Sequence, residues 1–248
     1  MVVTTEIRGG VMRVGSVRGL APGSSRPRPG IRLIMAVTLT MATGVGLLLP
    51  APTANAERFV GTDGEDDIFG TAQVDLIFAR GGNDNVFAGA GADIVRGGRG
   101  NDLIRLGSPE VASGDRMESA NGGPGFDILF GTGARDRMNG QGAGDLLLAR
   151  SGADELTDGD GRDDLAGGAG RDLIRLKGGG RDRAEGGPQG DFFIVFPDGS
   201  EDRIKCGPGR DAVAFRFRRE VIDQTTDCEK QVVGPTRRQI LRPVNSGT

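Results

Sequence analysis

The 248-residue sequence contains no histidine, no tryptophan and no tyrosine, and its 11 phenylalanines leave aromatic residues at 4%. That is too little bulk for the core of a conventional enzyme of this length, so something other than aromatic packing must hold the fold. Lysine is nearly missing as well, with Lys177, Lys205 and Lys230 the whole supply. With no imidazole or phenol and so little lysine, general acid and base chemistry would fall to carboxylates. Zinc is disfavoured on the same ground, since it favours Cys and His and only Cys206 and Cys228 are available. What the chain has in excess is acid and glycine, the latter at 45 residues.

The first 56 residues differ in kind from the rest. Six arginines and one acid precede or flank the apolar run 33–49 (LIMAVTLTMATGVGLLL), which is followed by Pro50, Pro52 and Ala54-Asn55-Ala56. A basic region, an apolar region and an A-x-A site form a secretory signal pattern, with cleavage expected between Ala56 and Glu57. The competing reading is an uncleaved anchor, because the apolar run approaches the roughly 20 residues that span a bilayer. The two helix-breaking prolines and the A-x-A site favour cleavage. Beyond residue 56 stand 25 basic and 33 acidic residues, a net charge of −8. Such a balance argues against nucleic acid as a partner, since phosphate contacts need a basic face.

Aspartate provides a nine-residue ruler. It runs through Asp66, Asp75, Asp84, Asp93 and Asp102, then through Asp127, Asp136, Asp145, Asp154, Asp163 and Asp172. Looser spacings continue to Asp182, Asp191, Asp202 and Asp211, and Asp115 stands alone between the two regular blocks. Two residues after each acid is an apolar residue, from Ile68 and Ile77 through Leu129 and Met138 to Ile204 and Val213, with Met117 following Asp115. Disordered acidic sequence lacks such a register. Two residues before the acid stands Gly64, Gly82, Gly91, Gly100, Gly125, Gly152, Gly161 or Gly170, with Gln73, Ala134 and Ala143 as exceptions. Each unit therefore reads as a glycine-shaped turn followed by a three-residue strand whose middle side chain points inward.

Two such units make an 18-residue coil, and stacked coils give parallel ladders around a thin aliphatic interior. Asp66, Asp84 and Asp102 then fall on one side, Asp75 and Asp93 on the other; Asp127, Asp145 and Asp163 likewise separate from Asp136, Asp154 and Asp172. Neighbouring coils lie about 4.8 Å apart. Carboxylates held near that distance repel unless a cation lies between them. Carboxylate and carbonyl oxygens without imidazole suit Ca²⁺, whereas Mg²⁺ prefers tight octahedra that retain water.

The units at 97–105 (GGRGNDLIR), 122–130 (GGPGFDILF) and 167–175 (GGAGRDLIR) resemble at every specified position the nonapeptide GGxGxDxUx of the repeats-in-toxin, or hemolysin-type calcium-binding, family. The resemblance covers roughly residues 59–213 and implies an all-β fold, a right-handed parallel β-roll. It implies Ca²⁺ between successive turns, held by the eleven aspartates of the two regular blocks and by loops containing Gly61, Gly64, Gly82, Gly91, Gly98, Gly100, Gly123, Gly125, Gly152, Gly161, Gly168 and Gly170. Pairs 18 residues apart offer up to seven regular sites: 66/84, 75/93, 84/102, 127/145, 136/154, 145/163 and 154/172. Weaker binding is expected at the loops where Gln73, Ala134 and Ala143 replace the family glycine. A cleaved N-terminal signal departs from family members exported by an uncleaved C-terminal one.

Cys206 and Cys228 are the only cysteines, and in a secreted chain a disulfide between them is the default. The surrounding DRIKCGPGRDAVAF (202–215) resembles the closing unit of secreted actinobacterial members of the family. The expected organisation is a leader over 1–56, a calcium-binding roll over 57–201, a disulfide-tied cap over 202–229 and a polar tail over 230–248. The interruption LGSPEVASGDRMESAN (106–121) reads as a loop on an unbroken roll, the alternative being a seam between two rolls. Phe69, Phe78 and Phe87 share the position after the inward residue and should face outward.

The expected function is that of a secreted calcium-binding repeat protein, structural or extracellular, in which metal binding and folding are one event. The alternative is an adhesin or toxin-like module on a cell surface or acidic polysaccharide, served by arginines such as Arg99, Arg135, Arg162 and Arg171. An enzyme on a parallel β-scaffold is disfavoured, because each carboxylate pair is already explained by the roll.

Overall fold

A strand buries every second side chain, and here glycine-rich turns carry the chain to the opposite side after only a few residues. The product is a parallel β-solenoid, seen in a computed structural model that describes residues 5–8, 11–14, 32–35, 56–107, 117–216 and 223–233. No helix occurs among the described residues, and none is therefore long and apolar enough to cross a membrane. Two ten-stranded sheets take alternate strands. One receives Glu57–Val60, Asp75–Gly81, Ile94–Arg99 and Met117–Pro124; the other receives Asp66–Phe69, Asn85–Phe87, Leu103–Arg105 and Ile128–Phe130. The 18-residue coil is visible in the register, where Ile68 lies opposite Val86 and Val86 opposite Ile104.

The apolar ruler is the core. Ile68, Ile77, Val86, Val95, Ile104, Leu129, Met138, Leu147, Leu156, Leu165 and Ile174 are at most 2% exposed. Full burial of an aliphatic side chain of this size contributes about 1.5–3 kcal/mol. A second inward row lies two residues further on, at Ala79, Ala88, Leu106, Ala149, Leu176 and Val195. The same pleat turns the acid two residues earlier inward, which places the aspartates at the edge of the core rather than in solvent.

The roll is continuous through the interruption. Ile94–Arg99 pairs with Met117–Pro124, which pairs with Arg135–Gly142, and Leu103–Arg105 pairs with Ile128–Phe130. Residues 108–116, including Asp115, lie outside the described residues. The register expected there is corrected by three positions. Ala120, at 2% exposed, lies opposite Val95, whereas Met117 is 42% exposed. Glu118, buried and opposite Asp136, stands where the ruler would have placed an aspartate. The coil here is 25 residues rather than 18, and pairing resumes at Met117–Pro124.

Rungs also continue past residue 201, as Arg203–Lys205, Ala212–Phe215, Gln224–Thr226 and Lys230–Val233. The disulfide-tied segment 202–229 stacks on the roll as further rungs, and Lys230–Val233 adds a strand; 234–248 lie outside the described residues. Cys206 and Cys228 are disulfide-bonded, their Cα atoms 5.2 Å apart. They follow two strands that neighbour each other in one sheet, Arg203–Lys205 and Gln224–Thr226. Replacing both by serine is expected to lower stability by about 3 kcal/mol through loss of loop closure. Urea unfolding of the double variant at saturating calcium would measure it.

Arg32–Met35, within the expected leader, lies parallel beside Asp66–Phe69, the edge that cleavage would uncover. Residues 36–55, up to the expected cleavage site, lie outside the described residues. The three phenylalanines divide between the faces because consecutive units alternate between sheets. Phe69 and Phe87 stack on one face with centroids 5.2 Å apart, while Phe78 lies on the other with Arg58 and Arg96 over its ring.

Candidate metal centre

The column aspartates, from Asp66 to Asp211, are each at most 2% exposed. Along one column, the N–H of Asp66 donates to Oδ1 of Asp84, that of Asp84 to Asp102, and that of Asp102 across the interruption to Asp127, at 2.8–2.9 Å. The pattern continues through Asp145, Asp163, Asp182 and Asp202. In the second column Asp75 donates to Asp93, and Asp136, Asp154, Asp172 and Asp191 each donate to the next acid, ending at Asp211. The columns that the two regular blocks predict are therefore single columns spanning both blocks. Beyond them, Asp223 accepts from Asp202 and Glu229 from Asp211.

From Asp84 onward, one oxygen of most of these acids is thus used by the neighbouring coil. The remaining oxygens distinguish two kinds of acid. Oδ2 of Asp84, Asp93, Asp102, Asp127, Asp145, Asp154, Asp163, Asp172, Asp182, Asp191 and Asp211 is buried with no hydrogen-bond partner. A desolvated carboxylate oxygen in that state is costly unless a cation or proton meets it.

In the second class a threonine closes the turn. Thr71 donates its N–H to Asp75 Oδ2 at 2.6 Å and its hydroxyl lies within 3.1 Å of both carboxylate oxygens. Thr132 N–H and hydroxyl likewise meet Asp136, and Thr62 N–H and hydroxyl both meet Asp66 Oδ2, while Asp66 Oδ1 stays buried without a partner. The hydroxyls also accept N–H groups from Gly64, Gln73 and Ala134 within these turns. Threonine four residues before the acid was the sequence signal for this class. Thr132→Val is expected to cost about 1–3 kcal/mol by removing the hydroxyl donor of a buried acid while keeping its N–H donor, with equal loss at low and high calcium. Denaturant unfolding at two calcium concentrations checks this.

Burial is the largest cause of raised pKa values in the columns, partly offset by the backbone N–H each acid accepts. It pushes Asp127 and Asp154 up to about 8 and Asp84, Asp93 and Asp145 up to about 7. Asp102 and Asp172 rise to about 6 for the same reason. Neighbouring carboxylates add to the rise at several positions, such as Asp102 and Asp145 beside Asp127.

Glycine brings the turns close enough to shape these sites. Gly123 has φ +126°, and a Cβ there would lie 1.9 Å from the Gly98 carbonyl oxygen. At Gly97, Gly122, Gly140 and Gly167 a Cβ would come within 2.2–2.4 Å of Oδ2 of the acid five residues on. Ala143, at φ +74°, keeps the loop shape, and Asp145 beyond it retains a bare oxygen. Of the three loops expected to be weakened, those at Gln73 and Ala134 are the threonine-closed ones, and the loop at Ala143 is not.

Bare carboxylate oxygens and close-packed loop carbonyls are a hard-oxygen donor set that fits Ca²⁺. A family model that describes four copies of the RTX calcium-binding nonapeptide repeat matches five overlapping or successive segments, residues 53–86, 60–95, 80–108, 113–147 and 139–174. Residues 53–108 and 113–174 carry RTX calcium-binding nonapeptide repeats. No curated protein gives a significant match to the chain. The RTX matches end at residue 174, while the rungs and acid columns of the roll run on beyond it. The later units have 19- and 20-residue coils, which breaks the strict RTX period without breaking the columns.

Proposed function

We propose that this chain is a secreted calcium-binding roll that folds as its acid columns take up metal and then serves as an extracellular scaffold. The observation that carries the reading is the repeated buried carboxylate oxygen without a partner, set in turns that at Gly97, Gly122 and Gly167 leave no room for a Cβ. When bound, Ca²⁺ supplies coordination for six to eight oxygens at irregular geometry. Asp66/Asp84, Asp84/Asp102, Asp127/Asp145, Asp145/Asp163 and Asp154/Asp172 would hold ions among the regular pairs, together with loop carbonyls. Asp102/Asp127, Asp163/Asp182 and Asp172/Asp191 join them, because these acids carry the same bare oxygen. Pairs that depend on Asp75 and Asp136 are set aside, their oxygens being met by Thr71 and Thr132.

No catalytic residue is assigned. Native mass spectrometry of the secreted protein during a calcium titration tests ion count and leader cleavage together. The reading predicts an N-terminus at Glu57 and several ions; a protein that takes up none ends it. Adhesion to an acidic polysaccharide is the second reading, drawing on exposed Arg99, Arg135, Arg162 and Arg171. Calcium-dependent retention on a pectate or alginate resin would support it.

A further inference from the structure

In most described units the residue five positions before the column acid is glycine or alanine, as at Gly97, Gly122, Gly167 and Ala149. Asp158, five before Asp163, breaks this rule and is 0% exposed. Asp158, Asp163 and Asp182 each offer a carboxylate oxygen, and the three oxygens lie within 4.8 Å of one another. Asp163 and Asp182 are 1% and 2% exposed, and Oδ2 of each is without a hydrogen-bond partner. Asp158 is held in place by the Lys177 N–H, which its two oxygens accept at 2.9 and 3.0 Å. Asp182 is shared with a second trio, completed by Asp198 and Asp202 on the next coil.

We propose that Asp158, Asp163 and Asp182 form a three-carboxylate site for Ca²⁺, the tightest of the roll and distinct from the two-carboxylate sites of the regular units. The proposal rests on the reading that the columns take up calcium. Its added content is the third charge, because affinity for hard cations rises with the number of charged ligands. A purely structural role for Asp158 would be to anchor the turn at 177–182, whose coil is one residue longer than the regular one.

Asp158→Asn separates the two roles, since the amide oxygen still accepts the Lys177 N–H while the charge is gone. The full chain is exchanged into calcium buffers of falling free concentration, and retained ions are counted by native mass spectrometry. The unaltered chain should keep one ion after the rest have left, and D158N should release that ion at about tenfold higher free calcium or more. Asp84→Asn, the control, should lose an ordinary ion and keep the last one. If D158N does not fold at saturating calcium, Asp158→Ser is read in its place, its hydroxyl also accepting the Lys177 N–H. Release of the last ion at the unaltered concentration, or failure of both variants to fold, overturns the proposal while leaving the calcium-binding roll intact. Absence of calcium binding in the unaltered chain would remove both.

Discussion

Chelating calcium at neutral pH is expected to abolish most of the strand signal in circular dichroism and to open the roll to proteolysis along its length. The reason is a contest of magnitudes. Each inward aliphatic side chain contributes about 1.5–3 kcal/mol, whereas a buried, ionised carboxylate with an unmet oxygen costs several kcal/mol. The roll has nearly one column acid for every residue of its aliphatic ruler. Without cations the two sets largely offset each other, and nothing remains to meet the conformational entropy of the chain. With cations, each occupied site stabilises by about 2.7 kcal/mol at a free concentration a hundred times its dissociation constant, and several sites add. A spectrum unchanged by excess chelator would defeat this account.

The second large effect is a reversal of pH dependence. In the metal-free roll, burial raises the acids from an ordinary 3.8 to about 6 at Asp102, about 7 at Asp84 and about 8 at Asp127. The folded state therefore binds more protons than the unfolded chain between about pH 4 and pH 8. Its protonation-linked stability is complete below about pH 4 and is lost as pH rises through the folded values. Metal-free protein should accordingly gain strand structure on acidification, with protons doing at the bare oxygens what cations do at neutral pH. Calcium-loaded protein should behave oppositely, since protons compete for its ligands. Circular dichroism of dialysed, metal-free protein from pH 8 to pH 4, beside a calcium-saturated series, checks both signs. Strand content that rises with pH in the metal-free series would contradict the burial of these acids.

Much of this arrangement was legible before any coordinate was known, because a solenoid repeats one local rule. The aspartate and apolar periods place Ile68, Leu129 and Ile174 inside and sort the acids into columns, as the structure has them. Less legible were the places where a side chain substitutes for the rule. Thr71 and Thr132 satisfy their acids through a hydroxyl, a contact that a period counted in aspartates does not register. Glu118 was hidden because the ruler searched for aspartate, and the 25-residue separation let Asp115 and Met117 imitate its spacing. Asp158 lay off the ruler altogether, and only the fold brings it beside Asp163 and Asp182.

The disulfide gives this stack a direction. Rungs touch only their neighbours, so a solenoid peels from its ends and not from its middle. Cys206–Cys228 staples adjacent rungs at one end, so that end cannot shed them singly. Unravelling then starts at the unstapled end and runs one way, like a zip with its last teeth sewn together. A partly depleted molecule is a shortened roll with an intact C-terminal portion, ready to be rewound coil by coil when calcium returns.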